Sequence, residues 1–130
     1  MARDVRLADL AVAIDEATDG EDELAAALVI EAWFESRLSL AVHRAGARKD
    51  TKGQAISLWS LHSGNLVPRQ EWVTLGGIDG TPAAAKAAAR VLRWARARCG
   101  SWHGAMSMYA TGARCSWSGA RNRVWQMNRV

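Results

Sequence analysis

Residues 24–38, LAAALVIEAWFESRL, make an apolar run of about four helical turns with two carboxylates set into it. At about 100° per residue, Leu24, Leu28, Glu31, Glu35 and Leu38 fall within roughly 80° of one another. Both acids therefore lie on the stripe that ought to face a core. An ionised carboxylate there costs several kilocalories per mole unless it is paired, hydrogen-bonded or protonated. This helix is predicted to be the one around which the chain assembles, and Glu35 and Glu31 are the first candidates for chemistry.

The rest of the chain offers helices to pack against it. Residues 6–17 read as an amphipathic helix with Leu7, Leu10, Ala11 and Ile14 on one face, stopped near Gly20. The central helix is predicted over residues 22–38. From Ser39 to Asn65 the helical period disappears. Charges and glycines gather around Gly46, Asp50 and Gly53, and the short apolar run at residues 55–59 predicts a loop with a small hairpin or extended segment. Pro68 opens a short helix over residues 69–75, which the Gly76-Gly77 pair ends. Thr81-Pro82 is a helix start, with Thr as N-cap and Pro at the first helical position, where its missing N–H costs nothing. The alanine-rich run to Arg98 has the strongest helix propensity of the chain, and its apolar side carries Ala84, Ala88, Val91, Leu92 and Ala95. Further helices are predicted over residues 102–110, stopping at Gly112, and over residues 119–128.

A chain of 130 residues that is 49% hydrophobic, with seven Trp, suits one domain with a real core and excludes a disordered segment. No stretch of 18 uninterrupted apolar residues occurs, so no membrane span is expected. Met1-Ala2-Arg3-Asp4 lacks the charged-then-apolar pattern of a signal peptide. Cys99 and Cys115, sixteen positions apart, match no zinc or redox spacing, and both a disulfide and two buried thiols fit them.

Charge is uneven. Residues 1–80 carry thirteen acids and eight Lys and Arg, a net −5, whereas residues 81–130 carry nine bases and no acid, a net +9. A cationic second half suits an anionic wall polymer, anionic lipid or nucleic acid, and its plainer reading is a solvated basic face. Bases alternate with aromatics at Arg93-Trp94 and Arg123-Val124-Trp125, which would serve either single-stranded nucleic acid or stacked sugar rings.

Glu35-Ser36 at the end of an apolar helix, then Ala55-Ile56-Ser57-Leu58-Trp59-Ser60-Leu61-His62 after a loop, then Met108-Tyr109-Ala110-Thr111-Gly112, resemble in order and spacing the lysozyme-like fold of the lytic transglycosylases. The resemblance covers roughly residues 22–125. It implies a mainly α, lysozyme-like α+β domain spanning residues 1–130, with the hairpin or extended segment following the catalytic helix. It implies Glu35 as sole catalytic acid and base, with Ser36, Ser57, Leu58, Trp59, Ser60, His62, Tyr109 and Thr111 shaping the sugar cleft. Ser57 stands where the family has Gly, Ser60 where it has Gln, and Ala110-Thr111 where it has an Asn-containing pair. The implied substrate is the peptidoglycan glycan strand, the implied site of action extracellular or periplasmic, and no cofactor or metal is implied.

Cleaving a glycosidic bond needs a protonated acid beside the leaving oxygen, and a Glu held against apolar neighbours is raised toward that role. Hydrolysis ordinarily needs a second carboxylate, whereas a transglycosylase uses the muramyl 6-hydroxyl in place of water. Among the acids after Glu35, Asp50 is the one placed to be that second group. Glu31, one turn before Glu35, is expected to hold a backbone or Arg partner. Trp59 and Trp72 fit both cleft walls and core, His62 a hydrogen-bonded cleft or core position, and His43 and His103 the surface. A muramidase, and a non-catalytic wall-binding or nucleic-acid-binding module, are the alternatives, with nucleic acid the lesser expectation.

Overall fold

The computed structural model describes residues 6–38, 58, 59, 61 and 81–130. Among these the architecture is mainly α, with five helices and no strand: α1 (Leu7–Thr18), α2 (Asp22–Ser36), α3 (Thr81–Cys99), α4 (Trp102–Thr111) and α5 (Ala120–Met127). The expected hairpin falls almost wholly outside the described residues, and the short helix over residues 69–75 falls outside them altogether.

Helix α2 packs against α1, α3 and α5, while α3 packs against α1 and α4, and α4 against α5. Central placement matches its residue pattern, since Leu24, Ala27, Leu28, Ile30, Glu31 and Ala32 are all buried and occupy most of its circumference. Leu58, Trp59 and Leu61 join the same core. The Trp59 indole Nε1 donates to the Leu28 carbonyl oxygen at 2.9 Å, which satisfies the one polar group of a fully buried ring.

The alanine-rich α3 buries Ala84, Ala88, Val91, Leu92 and Ala95 as its period predicts, and buries Ala85, Ala87 and Ala89 as well. Methyl side chains let two neighbouring helices approach it from different sides, so its buried arc is wider than one stripe. In α1 the core face is Leu10, Ala13, Ile14 and Ala17. Leu7 is 50% exposed and, with Ala11, borders an apolar groove shared with Val29, Ile30 and Trp33 of α2. The predicted stripe of Leu7, Leu10, Ala11 and Ile14 thus straddles the core edge.

A disulfide joins Cys99, at the end of α3, to Cys115, in the loop after α4, with 5.5 Å between their Cα atoms. Closing that loop stabilises the fold by roughly 3 kcal/mol in the chain-entropy view. The bridge leaves no room beside it: a Cβ on Gly104, in the first turn of α4, would lie 2.5 Å from the Cys99 Cβ. Ser101 caps α4, its Oγ accepting from the Gly104 N–H at 2.9 Å. Gly112 ends α4 in the left-handed region at φ 72°, with its N–H donating to the Met108 carbonyl. The Gly of the Tyr-x-x-Gly segment therefore stops the helix just after Tyr109.

Candidate active site

The two acids of α2 meet one cation. Arg123, on the buried face of α5, donates from Nη1 to Glu31 Oε2 at 2.6 Å and to Glu35 Oε2 at 3.0 Å. Its guanidinium also lies over two rings, 5.0 Å from the Phe34 centroid and 5.2 Å from that of Trp117. Gly119 leaves room for the Trp117 indole, since a Cβ there would overlap the ring. Each group is positioned by a separate part of the chain: Glu31, Phe34 and Glu35 by consecutive turns of α2, Arg123 by α5, and Trp117 by the turn leading into α5.

The acids differ in depth. Glu31 is 0% exposed, Arg123 is 9% exposed and Glu35 is 21% exposed at the side chain, so the trio runs outward from the core along the last turns of α2. Burial pushes the Glu31 carboxyl up to about 8; Arg123 opposes that rise and the Glu35 charge adds to it. Among the described residues, the two buried side-chain polar atoms left without a hydrogen-bond partner, Glu31 Oε1 and Arg123 Nε, both belong to this trio. The buried hydroxyls of Thr18, Ser36 and Ser107 all donate to backbone carbonyls one turn earlier.

Tyr109, in the last turn of α4, donates its hydroxyl to the Trp59 carbonyl oxygen at 2.7 Å. Burial first, and then the charges of Glu31 and Glu35, hold its phenol well above the ordinary range. Tyr109 is thus a neutral donor within electrostatic reach of both acids. The sequence-predicted residues Glu35, Leu58, Trp59 and Tyr109 are brought into one neighbourhood, and Glu31 joins them with the Arg partner expected of it.

Several assignments are corrected. Leu58 and Trp59 are fully buried, so their side chains belong to the core and not to a sugar-facing wall. Ser36 is buried too, and its hydroxyl is taken up by the Ala32 carbonyl at 2.9 Å. Thr111 is half-buried and serves the turn after α4, donating to the Ser107 carbonyl and accepting from the N–H groups of Ala113 and Arg114. Ser57, Ser60, His62, Asp50, Trp72 and His43 lie outside the described residues. The fully buried acid of α2 is Glu31, whose carboxyl burial raises, whereas the Glu35 side chain is partly exposed. Arg123, counted in the cationic half, is withdrawn from the surface by its carboxylates.

Of the other bases in residues 81–130, Lys86, Arg90, Arg98, Arg114, Arg121 and Arg129 are exposed. Arg98 and Arg129 lie over the exposed rings of Trp94 and Trp125 at 5.7 and 3.7 Å. Arg93 is also exposed and bridges to Glu21 of the acidic half at 3.3 Å. A depression of about 410 Å³, lined by His103, Ser116, Trp117, Ser118 and Arg121, opens beside Trp117. No helix among the described residues is long and apolar enough to cross a membrane.

No family model, curated protein or solved structure matches the chain. The residue that sequence reasoning missed is Arg123. A signal for it exists: Ala120, Arg123 and Met127 share one face of α5, so the helical period sets this Arg among buried residues.

Proposed function

We propose that the chain is a lysozyme-like lytic transglycosylase that cleaves the β-1,4 bond between N-acetylmuramic acid and N-acetylglucosamine in peptidoglycan. One observation carries the reading. Glu35 and Tyr109, seventy-four positions apart in the sequence, come within electrostatic reach of one another beside Arg123, and of the two acids there it is Glu35 that reaches solvent. In the proposed reaction the Glu35 carboxyl gives its proton to the glycosidic oxygen as the bond from that oxygen to the muramyl C1 breaks. The Glu35 carboxylate then takes the proton of the muramyl 6-hydroxyl as that oxygen bonds to C1, which regenerates the acid and leaves a 1,6-anhydro product. Tyr109, fixed on the Trp59 carbonyl, borders the site as a neutral hydroxyl.

Two further observations fit this setting. The Cys99–Cys115 disulfide suits an oxidising compartment such as the cell exterior or the periplasm. The exposed bases of α3 and the C-terminal segment, two of them stacked on exposed Trp rings, suit an anionic wall polymer.

Digestion of purified murein followed by mass spectrometry tests the reading. Anhydromuramyl ends, lighter than hydrolytic ends by one water, are expected, together with an active Asp50→Asn variant. Reducing ends and a dead Asp50→Asn variant would assign the chain to the muramidases, with Asp50 as second carboxylate. Retention on murein with no soluble fragments would leave a binding module.

A further inference from the structure

The depression beside Trp117 is built from two parts of the chain whose positions separate contacts fix. His103 comes from the first turn of α4, and Ser116, Trp117, Ser118 and Arg121 come from the loop after Cys115 and the start of α5. The Cys99–Cys115 disulfide anchors that loop one residue before Ser116. Gly119 leaves room for the indole, and the Arg123 guanidinium lies over it at 5.2 Å, so Trp117 has its place set from within the fold. At about 410 Å³ the depression is of a size to take one sugar ring with a substituent.

Its lining offers three kinds of contact at once. Trp117, half-buried, presents part of a ring against which the apolar face of a sugar can lie. Ser116, Ser118 and His103 are exposed and carry groups that exchange hydrogen bonds with hydroxyls and amides. Arg121 supplies a cation: its side chain is exposed, and among the described residues no carboxylate pairs with it, whereas Arg93 and Arg123 are both engaged by acids. Residues 81–130 hold no acid, so the lining itself contributes positive charge alone. A planar guanidinium beside a ring and hydroxyls fits a sugar that bears a carboxylate, which it can grip with two parallel N–H donors.

We propose that this depression is a subsite for the muramyl unit of the glycan strand, with the sugar ring against Trp117 and its carboxylate on Arg121. The muramyl ring differs from its N-acetylglucosamine neighbour by a lactyl ether ending in a carboxyl, which is either free or extended by a peptide that itself carries carboxylates. One cation beside the ring therefore tells the two sugars of the strand apart. Trp117 and Glu35 both contact Arg123, so the subsite stands beside the acid of the proposed reaction and selects which bond of the alternating strand reaches it. The choice of a muramyl carboxylate over that of another acidic sugar rests on the peptidoglycan reading.

NMR spectra of the backbone and indole N–H groups, recorded on the full chain as each sugar is added, test the subsite. N-acetylmuramic acid should shift the signals of residues 116–121 and of the Trp117 indole, with an affinity at least about tenfold above that of N-acetylglucosamine. Sodium lactate, the carboxylate without the ring, should bind at least about tenfold more weakly than N-acetylmuramic acid. N-acetylmuramyl-L-alanine carries its carboxyl farther from the ring; whichever of the two muramyl probes binds tighter identifies the lactyl or the peptide carboxylate as the group on Arg121. Arg121 is exposed, so Arg121→Gln keeps the fold; it should erase the preference and leave N-acetylglucosamine binding within about twofold.

No binding, equal affinity for the two sugars, shifts confined to residues outside the depression, or a preference that survives in Arg121→Gln would each overturn the proposal. Neither monosaccharide holds a bond to cut, so these titrations stand apart from cleavage. A preference for N-acetylmuramic acid in a protein that leaves murein intact would keep the subsite and sink the lytic reading, whereas murein cleavage without the preference would sink the subsite alone.

Discussion

Replacing Glu31 by Gln removes one ionisable group from the core while keeping its length and an oxygen for the Arg123 hydrogen bond. The consequence for stability follows from the folded carboxyl titrating at about 8, against 4.5 in an unfolded chain. The folded state binds the Glu31 proton more tightly, so the wild type gains its full benefit below pH 4.5 and loses it as pH rises toward 8. Each pH unit in that window is worth about 1.4 kcal/mol, which amounts to roughly 3 kcal/mol by pH 7. The amide that replaces the carboxyl in Glu31→Gln does not titrate, so the variant escapes this loss, while the remaining acids titrate in both proteins and largely cancel in the difference. Urea unfolding followed by Trp fluorescence at pH 5 and at pH 7 measures it. With a slope of about 2 kcal/mol/M, the variant's midpoint should gain roughly 1.5 M on the wild type's between the two pH values. The opposite trend, a variant that loses ground as pH rises, would mean that Glu31 is folded as the ionised partner of Arg123, and the claim that burial outweighs the guanidinium would be wrong.

Glu35→Gln should keep the fold and lower murein cleavage by at least about a hundredfold in a turbidity assay, as expected for loss of a general acid. Raising salt from about 0.05 to about 0.5 M should release the protein from intact murein, because the Debye length shrinks several-fold; Arg98→Glu with Arg129→Glu should do likewise and spare cleavage of short soluble fragments. Unchanged binding in both cases would return these bases to a solvated face. Removing the disulfide with Cys99→Ala and Cys115→Ala should cost roughly 3 kcal/mol, seen as a loss of roughly 10 °C in Tm by calorimetry.

The helices are legible in the sequence where local chemistry decides them. Thr81-Pro82 opens α3 and Gly112 closes α4 through preferences that act within a few residues. The face carrying Glu31 and Glu35 is legible from periodicity. Depth is not: the period sets both acids on the core stripe and cannot tell that Glu31 is fully buried while Glu35 reaches solvent. Trp59 shows the same limit. Its burial depends on a carbonyl thirty-one positions earlier, and a local motif can suggest a cleft wall but not the Leu28 partner that makes it core. Arg123 disappears into a count of bases, although its spacing from Ala120 and Met127 sets it on the buried face of α5.

That burial is costly. Well-packed apolar residues in place of a buried ion pair are often neutral or stabilising, by about 1–4 kcal/mol. Here the cost includes two buried polar atoms without partners, on Glu31 and on Arg123, in a core whose buried hydroxyls at Thr18, Ser36 and Ser107 are matched to carbonyls. The Phe34 and Trp117 rings hold the guanidinium without accepting its hydrogen bonds in the plane, leaving Nη1 to both acids. A trio arranged only for stability would have an inward end satisfied by backbone or replaced by Leu. An inward acid joined through one cation to an outward acid in reach of solvent ties the last two turns of α2 to α5, and so fixes where the Glu35 carboxyl of the proposed lytic site stands.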